Sequence, residues 1–182
     1  HPAPFTYYLL VLLDDGEKTT EHEVTNKIED HCKYLANVFA LTHKAGSART
    51  GLEVNQRFWS RAFSHGHLLY SAEGLELPEA RAVAKEQLLK RAAWHWERWG
   101  LQGKAFLLGA ERYYRDGNYR LSVFLLHQAV ESTLKGLIEA ILGYRVQLHN
   151  LSRLLRLTLL FTDELKLAFG LDTVEGAQLF AL

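Results

Sequence analysis

Two short stretches of this chain carry residue types that could do chemistry. The first is "FLLHQAVESTLK", residues 124–135, in which His127, Glu131 and Lys135 recur at a spacing of four. On a helix that spacing stacks them into one polar stripe, and Glu131 followed by Lys135 is the favourable order for an ion pair, worth ~0.2–0.5 kcal/mol. The apolar face is expected on Leu126, Val130, Thr133, Leu134, Leu137 and Ile141, with the stripe along its border. The stripe is then either an ordinary amphipathic edge or the lining of a polar groove. The second stretch is "GYRVQLHNLSRLL", residues 143–155, with Arg145 and His149 between two helices. An arginine offers a fixed fork of donors to a phosphate, and a histidine exchanges a proton near neutral pH. Together they could hold a phosphodiester and move a proton from a ribose hydroxyl. The plainer alternative is that Arg145 is solvated and that His149 or Asn150 caps the next helix.

The elements that must position these residues follow from periodicity. Residues 5–13, "FTYYLLVLL", are apolar and end at "DDGE", which predicts a buried strand. A helix is expected over 19–35, capped by Thr19 or Thr20, with Val24, Ile28 and Cys32 as its buried stripe. "NVFALTHK" predicts a second strand, "KAGSARTG" a loop, "LEVNQRFWSRAFSHG" a second helix and "HLLYSA" a third strand. The order β-α-β-α-β implies crossovers and a mainly parallel sheet. Three strands are few, so at least one more is expected upstream. From Pro78 onward the pattern is helical. A helix over 79–99, bent near Gly100–Gly103, leads into 104–115. Asn118 caps a helix over 119–142, and Gly143 ends it. A helix over 149–161 or longer follows, then a last one capped by Asp172 or Thr173. The expected domains are 1–76 and 77–182, giving an α+β fold.

The 182 residues are 48% apolar and 23% charged, as in an ordinary globular protein. No apolar run reaches the ~18 residues of a membrane span, so no membrane partner is expected. The apolar start has no basic flank and no cleavage site, and reads as a strand, not a signal peptide. Cys32 is the only cysteine, which leaves no disulfide framework and makes a reducing cytoplasm the expected location. No methionine occurs. Either the chain is a piece of a longer one, or methionines are missing and some spacings are short by one. Residues 1–76 hold 7 basic and 10 acidic residues, net −3, and residues 77–182 hold 14 and 11, net +3. Neither half is the strongly basic surface of a general nucleic-acid binder, so any RNA contact must be local. His65 and His67 are too few ligands for zinc. Trp96 and Trp99 share a helix face and are expected to pack in a bundle.

The run "NYRLSVFLLHQAVESTLKGLIEAILGYRVQLHNLSRLL" closely resembles the HEPN family (higher eukaryote and prokaryote nucleotide-binding domains). The signature is "HQAVESTLK", an apolar helix end, "GY", and a histidine with "NL" opening the next helix. The likeness spans roughly residues 80–182. It implies an all-α bundle, commonly a homodimer, that binds nucleotide or RNA, often beside a cognate toxin or antitoxin partner. His127, Gln128, Glu131, Lys135 and Asn150 become the nucleotide-binding candidates, and Arg145 and His149 the catalytic ones. The ribonuclease members are metal-independent, so no metal or cofactor is implied. Those members have four to six residues between the Arg and the His and a polar residue after the Arg. Here three residues intervene and Val146 follows the Arg. A dimerising adaptor with no small ligand is the third alternative. Residues 5–75 resemble the closing part of a nucleotidyltransferase-like domain, without its Gly-Ser turn or Asp-x-Asp pair. Asp14 and Asp15 are adjacent and would point to opposite faces of a strand.

Overall fold

The computed structural model describes residues 6–171 and 173–181. It divides into two units, His1–Ala82 and Val83–Leu182. The fold is α+β: a small sheet unit, then a helical bundle.

In the first unit, β1 (Thr6–Leu13) and β2 (Asn37–Lys44) pair in parallel, from Thr6↔Asn37 to Leu13↔Lys44. Parallel neighbours need a crossover, and α1 (Glu21–Cys32) supplies it. Of the two threonines, Thr20 is the cap: it accepts from the Glu23 amide while the Glu23 carboxylate accepts from the Thr20 amide. The stripe of α1 is shifted by one residue. Thr25 is buried, whereas Val24, Ile28 and Cys32 are half-buried, because Thr25 donates to the buried Thr42 of β2. Phe5 lies outside the described residues.

Of the expected loop at 44–51, Lys44 ends β2 and the rest is helical. Residues Ala45–Glu53 form α2 and Arg57–His65 form α3, and Asn55 breaks between them at φ 51°. Asparagine tolerates that left-handed backbone better than most residues. Small residues make the tight pairing possible: a Cβ on Gly51 would lie 1.9 Å from the Trp59 ring. Trp59 therefore sits directly on the backbone of α2, in a core with Ala48 and Leu52.

The third strand does not form, and "HLLYSA" carries exposed Leu68, Leu69 and Tyr70. One edge of the sheet is closed to it by side chains. The Ala40 amide donates to Glu29 Oε1 at 2.9 Å and the Lys44 amide to Glu21 Oε1 at 2.8 Å. Two carboxylates of α1 thus occupy backbone donors that a neighbouring strand would use.

The second unit is built on an antiparallel hairpin of α4 (Lys85–Arg115) and α5 (Tyr119–Leu142). Residues 79–84 lie outside the helix, and α4 runs through Gly100–Gly103 without a break. Gly103 serves close approach: a Cβ there would meet Thr133 Oγ1 at 2.9 Å and the Ala129 carbonyl at 3.3 Å. The hairpin turns at Gly117, and Asn118 caps α5 by accepting from the Leu121 amide. Gly143 ends α5 at φ 66°, the left-handed residue that a helix stop favours. Then follow α6 (Leu151–Thr158), shorter than expected, α7 (Glu164–Ala168), which periodicity gave no sign of, and α8 (Val174–Ala181). Thr173 Oγ1 accepts from the Gly176 amide at the start of α8. Asp172, the other candidate cap, lies outside the described residues.

Candidate functional site

The polar stripe of α5 is not at the border of an apolar face: beyond His127, which is exposed, it runs inside. Glu131 and Lys135 are 6% and 5% exposed. Of the expected apolar face, Leu134 is buried and Val130, Thr133 and Leu137 are half-buried, while Leu126 and Ile141 at its ends are exposed. The reason is the packing of α5 between α4 and the segment leading to α6, which buries a turn-by-turn ladder of 131, 135 and 139 instead of an edge. A buried charge needs a partner and hydrogen bonds, and each member of the ladder has them.

Glu131 is the hub. Its Oε1 accepts from Lys135 Nζ at 2.7 Å and from His149 Nδ1 at 2.8 Å. Its Oε2 is 3.5 Å from Gln128 Nε2 and 3.9 Å from His127 Nδ1. Burial pushes the Glu131 carboxyl up, but the hydrogen bonds from Lys135 and His149 and their charges outweigh it, so the group is held below its ordinary value. An ionised carboxylate only accepts. His149 must therefore carry its proton on Nδ1, and in the neutral ring Nε2 is left as the basic nitrogen. The His149 side chain is 79% exposed. One nitrogen is pinned to a buried charge while most of the ring faces water.

His149 is thus not the helix cap. Asn150 is: its Oδ1 accepts from the Arg153 amide at 3.0 Å. The segment from Gly143 to Asn150 alternates between inside and outside. Tyr144 and Val146 are buried, and Arg145 and Gln147 are exposed. Val146, which breaks the ribonuclease pattern after Arg145, is one of the two anchors that hold Arg145 outward. His127 and Gln128 sit at the exposed end of the ladder, on the turn before Glu131. The structure brings His127, Gln128, Glu131, Lys135 and His149 together. It assigns Asn150 to capping and leaves Arg145 on the outer side of the same loop.

Sequence reasoning missed the other end of the ladder. Glu139, 5% exposed, accepts at Oε2 from His95 Nδ1 and from Trp99 Nε1, both at 2.9 Å. Lys135 Nζ lies 5.9 Å from the Trp99 ring centre, which links the two ends. Extending the spacing of four by one more step would have found Glu139. His95 and Trp99 lie on another helix, and no local pattern joins them to it. Trp96 and Trp99 do face the bundle, over Gly136, where a Cβ would lie 2.8 Å from Trp99 Cβ.

Asp14 and Asp15 are engaged separately, Asp14 by the Gly16 amide and Asp15 by the Gly46 amide. Among the described residues, no group of three or more His, Cys, Asp or Glu side chains is placed to hold a metal ion. Nor is any helix among them long and apolar enough to cross a membrane.

Residues 96–174 match the family model of the HEPN domain. The match lies within the helical unit, takes in the whole of α5 and α6, and supports the HEPN family for that unit. No curated protein and no solved structure matches the chain.

Proposed function

We propose that the helical unit is a nucleotide- or RNA-binding HEPN module whose phosphate-facing edge is formed by His149 and Arg145. The observation that carries this reading is the Glu131–His149 contact. A buried, ionised carboxylate fixes an exposed imidazole, four residues along the same short segment from an exposed guanidinium. Structural histidines have no need of that much exposure, whereas a phosphate-binding one does. Titration of a fluorescently labelled oligouridylate in EDTA tests it. His149→Ala and Arg145→Ala should each weaken binding by about tenfold, the worth of one hydrogen bond to a charged group. Unchanged affinity in both variants would overturn the reading.

The same contact favours a second reading, metal-independent cleavage. Nδ1 is occupied by Glu131, so Nε2 is the nitrogen free to take a proton from a 2′-hydroxyl, with Arg145 holding the phosphate. General acid–base help contributes ~10²–10⁴-fold. Cleavage in EDTA, lost in His149→Ala, would establish it.

The reading further has the module acting as a homodimer beside a cognate toxin or antitoxin partner, in the cytoplasm. Leu101 and Leu108 on α4, with Tyr119, Val123 and Leu126 on α5, are exposed at helical spacing and support a dimer face. The N-terminal unit is read as a nucleotidyltransferase-like remnant, and the parallel β1–α1–β2 crossover supports that.

A further inference from the structure

In the N-terminal half of α4, the ladder runs into an aromatic surface away from His149 and Arg145. Trp94 and Trp96 flank His95 on the helix; Trp94 is 56% exposed, and Trp96, although one edge lies against Gly136, is still 45% exposed. Tryptophan buries more apolar area than any other side chain and is highly buried on average, so two such neighbours are unusual. The Trp94 ring meets His95 edge-to-face with centroids 4.9 Å apart. The Arg98 guanidinium lies over two indoles, 5.8 Å from the Trp94 ring centre and 5.5 Å from that of Trp99. Arg98 has no ion pair with a carboxylate among the described residues, although Glu97 is its neighbour. A guanidinium stacked on a ring keeps its N–H fork directed outward for an anion.

The floor beneath is rigid, because His95 and Trp99 both bond to the buried Glu139. The surroundings are basic. Residues 85–99 hold Lys85, Lys90, Arg91 and Arg98 against Glu86 and Glu97, and Glu86 is taken by Lys90. Exposed indole faces interleaved with cations are the chemistry of single-stranded nucleic acid: bases stack on the rings, and the backbone lies along the cations. Tryptophan and arginine also occur together in protein interfaces, but lysine is depleted there; Lys85 and Lys90 beside the rings fit a phosphate backbone better.

We propose that Trp94 and Arg98 form a stacking subsite for one base and its adjoining phosphate of a single-stranded nucleic acid. This rests on the reading of the His149 edge as a phosphate site and extends it. Glu131 and Glu139, which anchor the two histidines, are eight residues apart on α5, about 12 Å along the helix. A strand held at His149 thus reaches Trp94 within a few nucleotides, and a mononucleotide does not.

The test compares uridine monophosphate with an oligouridylate of about twelve nucleotides, and with oligothymidylate of the same length, on the whole chain. The wild type should bind the oligomers more tightly than the monophosphate. Trp94→Ala and Arg98→Ala should weaken the oligomers by about 5- to 150-fold, the range of one stacked base, and leave the monophosphate unchanged. Trp94→Phe should keep most of the affinity, because it keeps a ring. Oligouridylate and oligothymidylate should respond alike, because stacking does not read the 2′-hydroxyl. Oligomer binding unaffected by both alanine variants overturns the subsite and leaves the His149 reading intact. Oligomer binding lost in Trp94→Ala but indifferent to His149→Ala and Arg145→Ala upholds the subsite and overturns the His149 reading. Oligomers bound no more tightly than the monophosphate, or equal loss in Trp94→Phe and Trp94→Ala, overturn the subsite.

Discussion

Glu131 and Glu139 lie on the same helix, two turns apart, and are buried to the same degree. Each accepts from the Nδ1 of one histidine. Their surroundings differ in two ways. Glu131 has a full cation at 2.7 Å in Lys135 and holds a histidine whose side chain is 79% exposed. Glu139 has an indole N–H in place of the cation and holds a histidine that is 28% exposed. The first arrangement keeps a charge inside and presents a titratable ring outside. The second clamps one helix to its neighbour. The same residue type at the same helical phase thus serves an open edge in one place and a helix–helix seam in the other, and the partner elements decide which.

The largest expected effect comes from removing the cation. Lys135→Ala leaves Glu131 buried without its ammonium and should cost about 3–5 kcal/mol, as breaking a buried ion pair does. Urea unfolding followed by helical circular dichroism measures it. Replacing both partners, with Glu131→Leu and Lys135→Met together, should cost much less than Lys135→Ala alone, since no charge is then stranded. Equal losses would mean that the pair is not the source of the cost.

The Glu139 end should lose less. Trp99→Phe keeps most of the ring but removes one of the two hydrogen bonds to a buried carboxylate. A loss of about 1.5–3 kcal/mol is expected, the worth of a hydrogen bond to a charged group. The same measurement checks it, and a loss as large as that of Lys135→Ala would erase the distinction between the two ends.

The smallest effect is one of pH. The Glu131 carboxyl is held below its ordinary value in the folded chain, so the unfolded chain takes up the proton first as pH falls. Its contribution is fully present above the ordinary carboxylate range and is lost as pH falls through the folded value. His43 in the sheet unit behaves similarly at higher pH. Burial depresses it, with a smaller opposing pull from Glu21, so its neutral form is the folded one and its contribution falls as pH drops below the ordinary histidine range. Urea midpoints taken from pH 8 to pH 4 should decline in the wild type. In Lys135→Ala the decline over the carboxylate range should be shallower, because one cause of the lowered carboxyl is gone.

Much of the helical unit was legible in the sequence because its signals are local. Asn118, the apolar run to Leu142 and Gly143 mark both ends of α5, and Thr20 with Glu23 marks the start of α1. Each depends on a few neighbouring residues and on backbone donors that any helix leaves open. The spacing of His127, Glu131 and Lys135 was equally visible, as was the placement of His149 just before a helix start. The sequence could not say that this stripe faces inward. Periodicity marks the apolar face as buried by default, and here packing against α4 and the segment before α6 buries the charged residues together with Leu134 and Ile138.

The remaining departures have the same origin. Whether 67–72 becomes a strand depends on a free sheet edge, and Glu21 and Glu29, far away in the chain, occupy the β2 amides. Whether 45–53 becomes a helix depends on Trp59 lying against Gly51. His95 joins Glu139 across 44 residues. Residue types, caps and the ladder spacing were set by the sequence itself, since they act over one or two turns. Which side of α5 is buried, which carboxylate meets which histidine, and which of them stays in water were decided only by the tertiary packing, because each depends on contacts between residues far apart in the chain.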